Sequence, residues 1–275
     1  MKQSRKYASK KAHILAGFLV VVTVLPMVWM VLSSFKTTPE LSGGDKRLLP
    51  SGLYLGHYEK VADTNFLGYF LNSTMVAAGT TLIALTVAVL AGYGFSRFTF
   101  LGNRALLLVV IACQMFPAVL LAMPLYKTVR TLGLLDSLVG LSLVYVTFAL
   151  PLCIWLMRNY FMGISQSTEE AAMIDGCTRF QALRRVLLPS ALPGIMAAAV
   201  FCVIQVWEEF LYASIFIETD SKRTLSVGLH SLMGEFTTDW GQILAAGVLM
   251  MLPIIAVFAF LQRYVTAIAA GGEKG

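Results

Sequence analysis

Residues 169–176 read EEAAMIDG, and a short mixed stretch leads from them into LLPSALPG at 187–194. The interruption stands between two apolar runs, about 138–157 and 191–214. Each is long enough for the ~30 Å hydrocarbon core of a bilayer, which takes about 20 helical residues to cross. The intervening segment, about 158–190, is long, charged and patterned like helix. Ser167 precedes Glu170 by three positions, the capping-box spacing, which predicts a helix start there. Glu169 and Glu170 in the first turn suit the positive end of the helix dipole, and Gly176 supplies the positive φ that ends the helix. Ala171 and Ala172 offer a small, smooth face that a groove on another protein can approach closely. In CTRFQALRRVLLP, Phe180, Leu183 and Leu187 recur at helical spacing, with Arg179, Arg184 and Arg185 mostly elsewhere. Pro189 and Pro193 then redirect the chain into the next span. By periodicity alone, the stretch reads equally as an amphipathic helix pair lying on a membrane surface.

The rest of the chain has membrane composition. Of its 275 residues, 57% are hydrophobic and 13% charged, against about 25% charged in an average soluble domain. Six apolar runs, about 13–35, 70–95, 105–124, 138–157, 191–214 and 241–262, predict an all-α, polytopic membrane protein organised as one domain over 1–275. Pro117, Pro151, Pro193 and Pro253 fall inside the last four runs. Proline at such depth is tolerated where neighbouring helices satisfy the freed carbonyls, so the runs predict a packed bundle. The start, MKQSRKYASKK before HILAGFLVVVTVLPMVWMVLSS, begins like a secretory signal. Its apolar part exceeds the ~7–15 residues of a signal core and no small-x-small site closes it, so it reads as an uncleaved first span. Placing the N-terminus inside puts most of the 21 Lys and Arg residues on inner segments, which predicts both termini and the 158–190 loop on the cytoplasmic side.

Several function classes lose their footing here. The formal charge of +6 is spread over short segments between apolar runs and forms no basic stripe, which argues against a nucleic-acid partner. Cys113, Cys153, Cys177 and Cys202 form no CxxC pair, so neither zinc nor redox chemistry is indicated. No GxxxxGK[ST] is present to cradle nucleotide phosphates. His13, His57 and His230 lie on different segments with no HExxH or GxSxG, and read as interfacial or loop residues.

Glu170-Ala171-Ala172, then Gly176 after three residues, then Val186, Leu188 and Pro189 at their further spacings, resembles the EAA motif of permease subunits in binding-protein-dependent ABC importers. Asp175 stands before the glycine, as is frequent in that family. VWEEF at 206–210, RTLSVGL at 223–229, DWGQILAAGVLMMLP at 239–253 and the QRYV…AGGEKG ending look like the carbohydrate-uptake, maltose-type branch, with Glu208 where that branch commonly has Asn. The resemblance implies a type I ABC importer permease fold of six transmembrane helices with a cytoplasmic coupling helix. It also implies a bacterial-type inner-membrane location and a role as transporter, with no cofactor bound by this chain. A separate pair of ATPase subunits would bind ATP and Mg, a homologous second permease would complete the pore, and an extracytoplasmic solute-binding protein would deliver the sugar. On that resemblance, Glu170, Ala171, Ala172, Asp175, Gly176, Leu188 and Pro189 are the ATPase-coupling residues.

Trp207, Glu208 and Glu209 stand near the outer end of the fifth run, where Trp stacking and a carboxylate suit a sugar path; interfacial anchoring and subunit packing are the competing readings. Adjacent helix positions point about 100° apart, so the two carboxylates form no catalytic dyad. The resemblance also makes Glu235, Phe236, Thr237, Thr238 and Asp239 receptor-facing, whereas their composition alone reads as a solvated loop. The alternatives are a polyol or glycerol-phosphate-type solute within the importer class, and a stand-alone secondary transporter. The latter calls for paired charges at mid-membrane, which the runs largely lack.

Overall fold

The structure, a computed structural model, describes residues 2–43, 47–234 and 238–271. Its helices in chain order are α1 (Lys2–Ser34), α2 (Thr38–Ser42), α3 (Gly56–Ala62), α4 (Phe66–Arg97), α5 (Asn103–Ala112), α6 (Ala118–Thr131) and α7 (Leu138–Gly163). They continue as α8 (Gln166–Ile174), α9 (Arg179–Ala182), α10 (Leu188–Trp207), α11 (Leu211–Phe216), α12 (Leu225–Ser231) and α13 (Trp240–Gly271). Extended pairing among the described residues is limited to one bridge, Met233 with Thr238. The all-α expectation therefore holds.

Among the described residues, five helical stretches are long and apolar enough to cross a membrane: Ala12–Ser34, Phe66–Arg97, Leu138–Gly163, Arg179–Trp207 and Trp240–Phe260. The third expected span, 105–124, is not a straight helix. Asn103–Met115 and Ala118–Thr131 meet at a bend of 101°. Pro117 is the cause, because the residue before a proline is driven out of the helical region; Phe116 accordingly takes φ −73°, ψ 129°. Pro151 and Pro193 lie within continuous helices. In the turn before Pro151, the Phe148 carbonyl accepts from Gln114 Nε2 at 2.7 Å, so a neighbouring segment supplies a bond there.

The fifth expected span, 191–214, is displaced at both ends. Helix runs unbroken from Arg179 to Trp207 and stops at Glu208. Pro189 and Pro193 do not redirect the chain, contrary to the expectation. A π turn at Leu183–Leu187 precedes them, in which the Leu188 N–H reaches back to the Leu183 carbonyl. The wider turn accommodates the first proline, which sits near the start of α10 and lacks an N–H in any case.

The chain divides into two compact units. In the larger, Leu67–Gly228 with Pro253–Gly275, small residues let helices approach closely, the usual means of packing where lipid is as apolar as leucine. Ala84 and Ala88 of α4, Ala149 and Cys153 of α7, and Ala198 and Cys202 of α10 are buried. At Gly92 an added Cβ would lie 2.7 Å from Met157 Cβ and 2.8 Å from the Arg158 nitrogen, so α4 and α7 touch there nearly backbone to backbone.

The smaller unit, Met1–Phe66 with Leu229–Leu252, is organised around Val61, Ala245 and Ala246, with Tyr58, Phe66 and Leu249 packed against them. His57 is wholly buried in this unit, its Nε2 3.0 Å from the Lys36 carbonyl oxygen, and so is a core residue rather than an interfacial or loop histidine.

Candidate functional site

The residues of the EEAAMIDG stretch form an elbow between α7 and α10. Beyond α7, Ile164 is extended (φ −88°, ψ 126°), and the Ser165 hydroxyl accepts from the Ser167 N–H at 3.3 Å to open α8. The expected capping box of Ser167 with Glu170 does not form, because Ser167 is already the second helical residue. A capping box forms one helix later: Gln181 Oε1 accepts from the Thr178 N–H at 2.8 Å, and Thr178 Oγ1 accepts from the Gln181 N–H at 3.3 Å.

Between the two helices Gly176 takes φ +90°, as its position in the sequence suggested. The Cys177 N–H donates to the Ala172 carbonyl at 3.0 Å and the Gly176 N–H to the Met173 carbonyl at 3.1 Å, the two bonds of a Schellman close. Every turn of the elbow is thus fixed by a specific local bond.

Its two faces differ. Glu170, Ala171, Asp175 and Gly176 are exposed, with Ile174 85% exposed between them. Ala172 is 7% exposed and packs inward, so the small-residue face expected of Ala171 with Ala172 reduces to Ala171. The two neighbouring glutamates point apart, as adjacent helix positions must. Glu169 is buried. Its Oε1 accepts from the Tyr93 hydroxyl and its Oε2 from Arg97 Nε at 3.0 Å, and the Arg97 guanidinium also donates to the Ile164 carbonyl at 2.8 Å. A cavity of about 190 Å³ opens beside this pair, lined by Arg97, Gln166, Glu169, Glu170, Met173 and Arg179. In the sequence Glu169 reads only as a partner of the helix dipole, and Arg97 is one inner basic residue among many. The available signal was Tyr93 and Arg97 at i,i+4 on the end of a span, which puts a donor pair on one helix face. On the far side of the elbow, Leu188 is partly buried and Pro189 exposed at the start of α10.

At the other end of α10 lie the expected path residues. Trp207 is 4% exposed, its ring edge-on to Phe70 at 5.6 Å, so it is a packing residue and offers no open stacking face. Glu208 is exposed. Glu209 caps α11: its Oε1 accepts from the Tyr212 N–H at 2.9 Å, and its Oε2 accepts from the Ala213 N–H at 3.1 Å and from the Tyr145 hydroxyl.

The break of α10 at Glu208 and the break at Phe116–Pro117 line one cavity of about 210 Å³, walled by Gln114, Phe116, Tyr145, Gln205, Glu209 and Tyr212 among others. Buried Gln205 Oε1 has no hydrogen-bond partner. Interrupted membrane helices are where irregular backbone lines a cavity and solute sites form. Of the three expected path residues, Glu209 lines this cavity and Trp207 and Glu208 do not. Gln114 and Phe116, some ninety positions away in the chain, share its wall, and no local pattern in the sequence links them to Glu209.

Of the expected receptor-facing residues, Glu235, Phe236 and Thr237 lie outside the described residues. Thr238 bridges Met233. Asp239 Oδ1 accepts from the Gly241 and Gln242 N–H groups at 3.1 and 3.2 Å, capping α13, and Oδ2 pairs with Lys60 Nζ at 2.6 Å. The Lys60 ammonium is held above the usual lysine range by that hydrogen bond and by the carboxylate charge. Among the described residues no three His, Cys, Asp or Glu side chains gather into a metal-holding group.

Comparison with known proteins agrees with this architecture. Residues 84–267 match the family described as binding-protein-dependent transport system inner membrane component. The chain is 36% identical over 264 residues to the sulfoquinovosyl glycerol transport system permease protein of Agrobacterium fabrum, covering 95% of this chain and 93% of that one. It is 33% identical over 266 residues to the trehalose transport system permease protein of Mycobacterium tuberculosis, covering 95% and 96%. Its fold is similar to a chain of a bacterial ABC transporter involved in the import of the acidic polysaccharide alginate, with a TM-score of 0.79 over 96% of this chain and 98% of that chain at 24% identity. With the elbow, its buried anchor and the apolar helices in place, the chain belongs to the binding-protein-dependent transport system inner membrane component family, the permeases of ABC importers.

Proposed function

We propose that this chain imports a sugar or oligosaccharide, forming half of a translocation pore with a homologous second permease. Two ATPase subunits, which bind ATP and Mg, drive it, and a solute-binding protein outside the membrane supplies the solute. Both termini and the elbow face the cytoplasm, in keeping with the excess of Lys and Arg on those segments. The sugar assignment draws on relatives named for sulfoquinovosyl glycerol and for trehalose.

The observation that carries the reading is the elbow: a locally fixed helix with a buried anchor on one side and an exposed ridge of Glu170, Ala171, Ile174 and Asp175 on the other. Such a ridge fits a cleft on the ATPase, with Glu170 meeting a basic group there. Closure of the ATPase dimer then rocks the spans as rigid bodies between inward-open and outward-open states. The cavity at the two helix breaks is the solute path. Gln205 offers an unpaired acceptor to a sugar hydroxyl, Gln114 stands in the same wall, and Phe116 supplies an apolar surface for a ring.

The test is a complex reconstituted in proteoliposomes with labelled trehalose, maltose and glycerol as probes. Glu170→Lys and Gly176→Val are expected to insert normally yet lose the ATPase on purification and lose uptake at least tenfold. Normal co-purification and uptake in both variants would refute the coupling role, and a wild-type complex that carries glycerol but neither sugar would refute the sugar assignment.

A further inference from the structure

The structure assigns to Arg97 and Glu169, with Tyr93, the role of positioning residues that tie the elbow's movement to α4; this inference rests on the importer reading above. The Glu169 carboxylate spends one oxygen on Tyr93 and the other on Arg97, both donated from the last turns of α4. The Arg97 and Glu169 side chains are 5% and 6% exposed, so the pair sits out of water. Arg97 reaches further, to the carbonyl of Ile164 in the link between α7 and α8. The Tyr93 ring lies edge-on to Phe161 of α7 at 6.0 Å, and Phe161 is wholly buried. One turn of α4 therefore holds the link, the start of α8 and the end of α7 together.

A buried ion pair of this kind is a poor way to gain stability, because two desolvated charges do little better than well-packed apolar groups of the same size. What it gains is direction. Apolar side chains in contact slide past one another, whereas a carboxylate held through both oxygens by two donors one helical turn apart fixes the rotation and axial position of α8. A push on Glu170 or Ile174 at the ridge is then passed to α4, which at Gly92 is in near-backbone contact with α7. The exposed Glu170 receives the push and the buried Glu169 transmits it.

The experiment uses the complete importer in proteoliposomes, with ATP hydrolysis measured alone and with its solute-loaded receptor. The variants are Glu169→Gln, Arg97→Met and the double Arg97→Met/Glu169→Gln, which leaves no buried charge unpaired. The ridge is untouched in all three, so the double variant is expected to keep the ATPase bound and basal hydrolysis within about twofold. Its thermal unfolding is expected near wild type, and above that of either single variant. Stimulation of hydrolysis by the receptor is expected to fall at least tenfold and to stay low in the double variant. That separates positioning from folding, since a purely structural pair would regain function along with stability. A double variant with wild-type stimulation, or one that loses the ATPase, overturns the assignment. Failure of the underlying reading looks different: wild-type chain that moves solute with no ATPase present.

Discussion

Asp136 provides a sharp test of how an exposed turn is held. It sits between α6 and α7 at φ 51°, a left-handed conformation that asparagine and aspartate tolerate better than other non-glycine residues. Its Oδ1 accepts from the backbone N–H groups of Glu218 and Thr219 at 3.0 and 2.9 Å, and its Oδ2 from Thr219 Oγ1 at 2.6 Å and Lys222 Nζ at 2.7 Å. Hydrogen bonds from Lys222 first, then from Thr219, hold the carboxyl well below the usual carboxylate range. Asp136→Asn keeps the backbone conformation and removes the charge.

A hydrogen bond to a charged group contributes about 1.5–3 kcal/mol and a neutral one about 0.5–1.5. The Lys222 pairing is counted at little, because its side chain is 46% exposed and surface pairs contribute about 0–1 kcal/mol. The two backbone donors together then lose about 2 kcal/mol, or roughly thirtyfold in local opening at ~1.4 kcal/mol per decade. Hydrogen exchange of the Glu218 and Thr219 amides in the purified permease should quicken by about that factor at neutral pH. The folded carboxyl is depressed, so its stabilisation is fully present above the unfolded value near 3.9 and is lost as pH falls below about 4. After correction for intrinsic rates, wild-type protection should fall there while that of the variant stays flat. A change below about threefold at neutral pH, or the same acid response in both proteins, would refute the account.

Two further outcomes follow from the packing and the caps. Gly92→Ala forces a methyl group against Met157 and the Arg158 backbone and should cost at least the ~1–3 kcal/mol of an overpacked core in detergent unfolding. Gly94→Ala, two positions on and with nothing within 4 Å of the added carbon, should be neutral or slightly stabilising; equal effects would count against the close approach of α4 and α7. Thr178→Ala removes the capping box of α9 and should cost about 1 kcal/mol, seen as faster exchange of the Gln181 amide, whereas Ser167→Ala, outside any capping box, should leave that amide unchanged.

What could be read before folding differed from place to place along the chain. Apolar runs of membrane length and the glycine at 176 identified helices and a turn, because hydrocarbon thickness and the energetics of positive φ act on any chain in the same way. Pro117, Pro151, Pro193 and Pro253 look alike in sequence, yet among the described residues a bend of more than 40° occurs only at Phe116–Pro117. Whether a proline bends or breaks a helix depends on how the surrounding helices accommodate the interrupted backbone, which no local stretch of sequence records. Ser167 and Glu170 satisfied a capping rule that Ser165 pre-empted, because Ile164 leaves α7 extended and the next residue already begins the helix.

Hydropathy and spacing are local properties, so the membrane-spanning runs and the charged helical interruption between them were legible in the residues, and the EAA pattern of that interruption was carried by resemblance. Which glutamate of the pair is exposed and which is clamped, that Trp207 packs against Phe70, and that Gln114 and Gln205 share a cavity came from long-range packing. Those outcomes rest on which residues, tens of positions apart, the packed helices bring within a few ångströms. Burial and pairing are properties of that neighbourhood and not of any one stretch of chain.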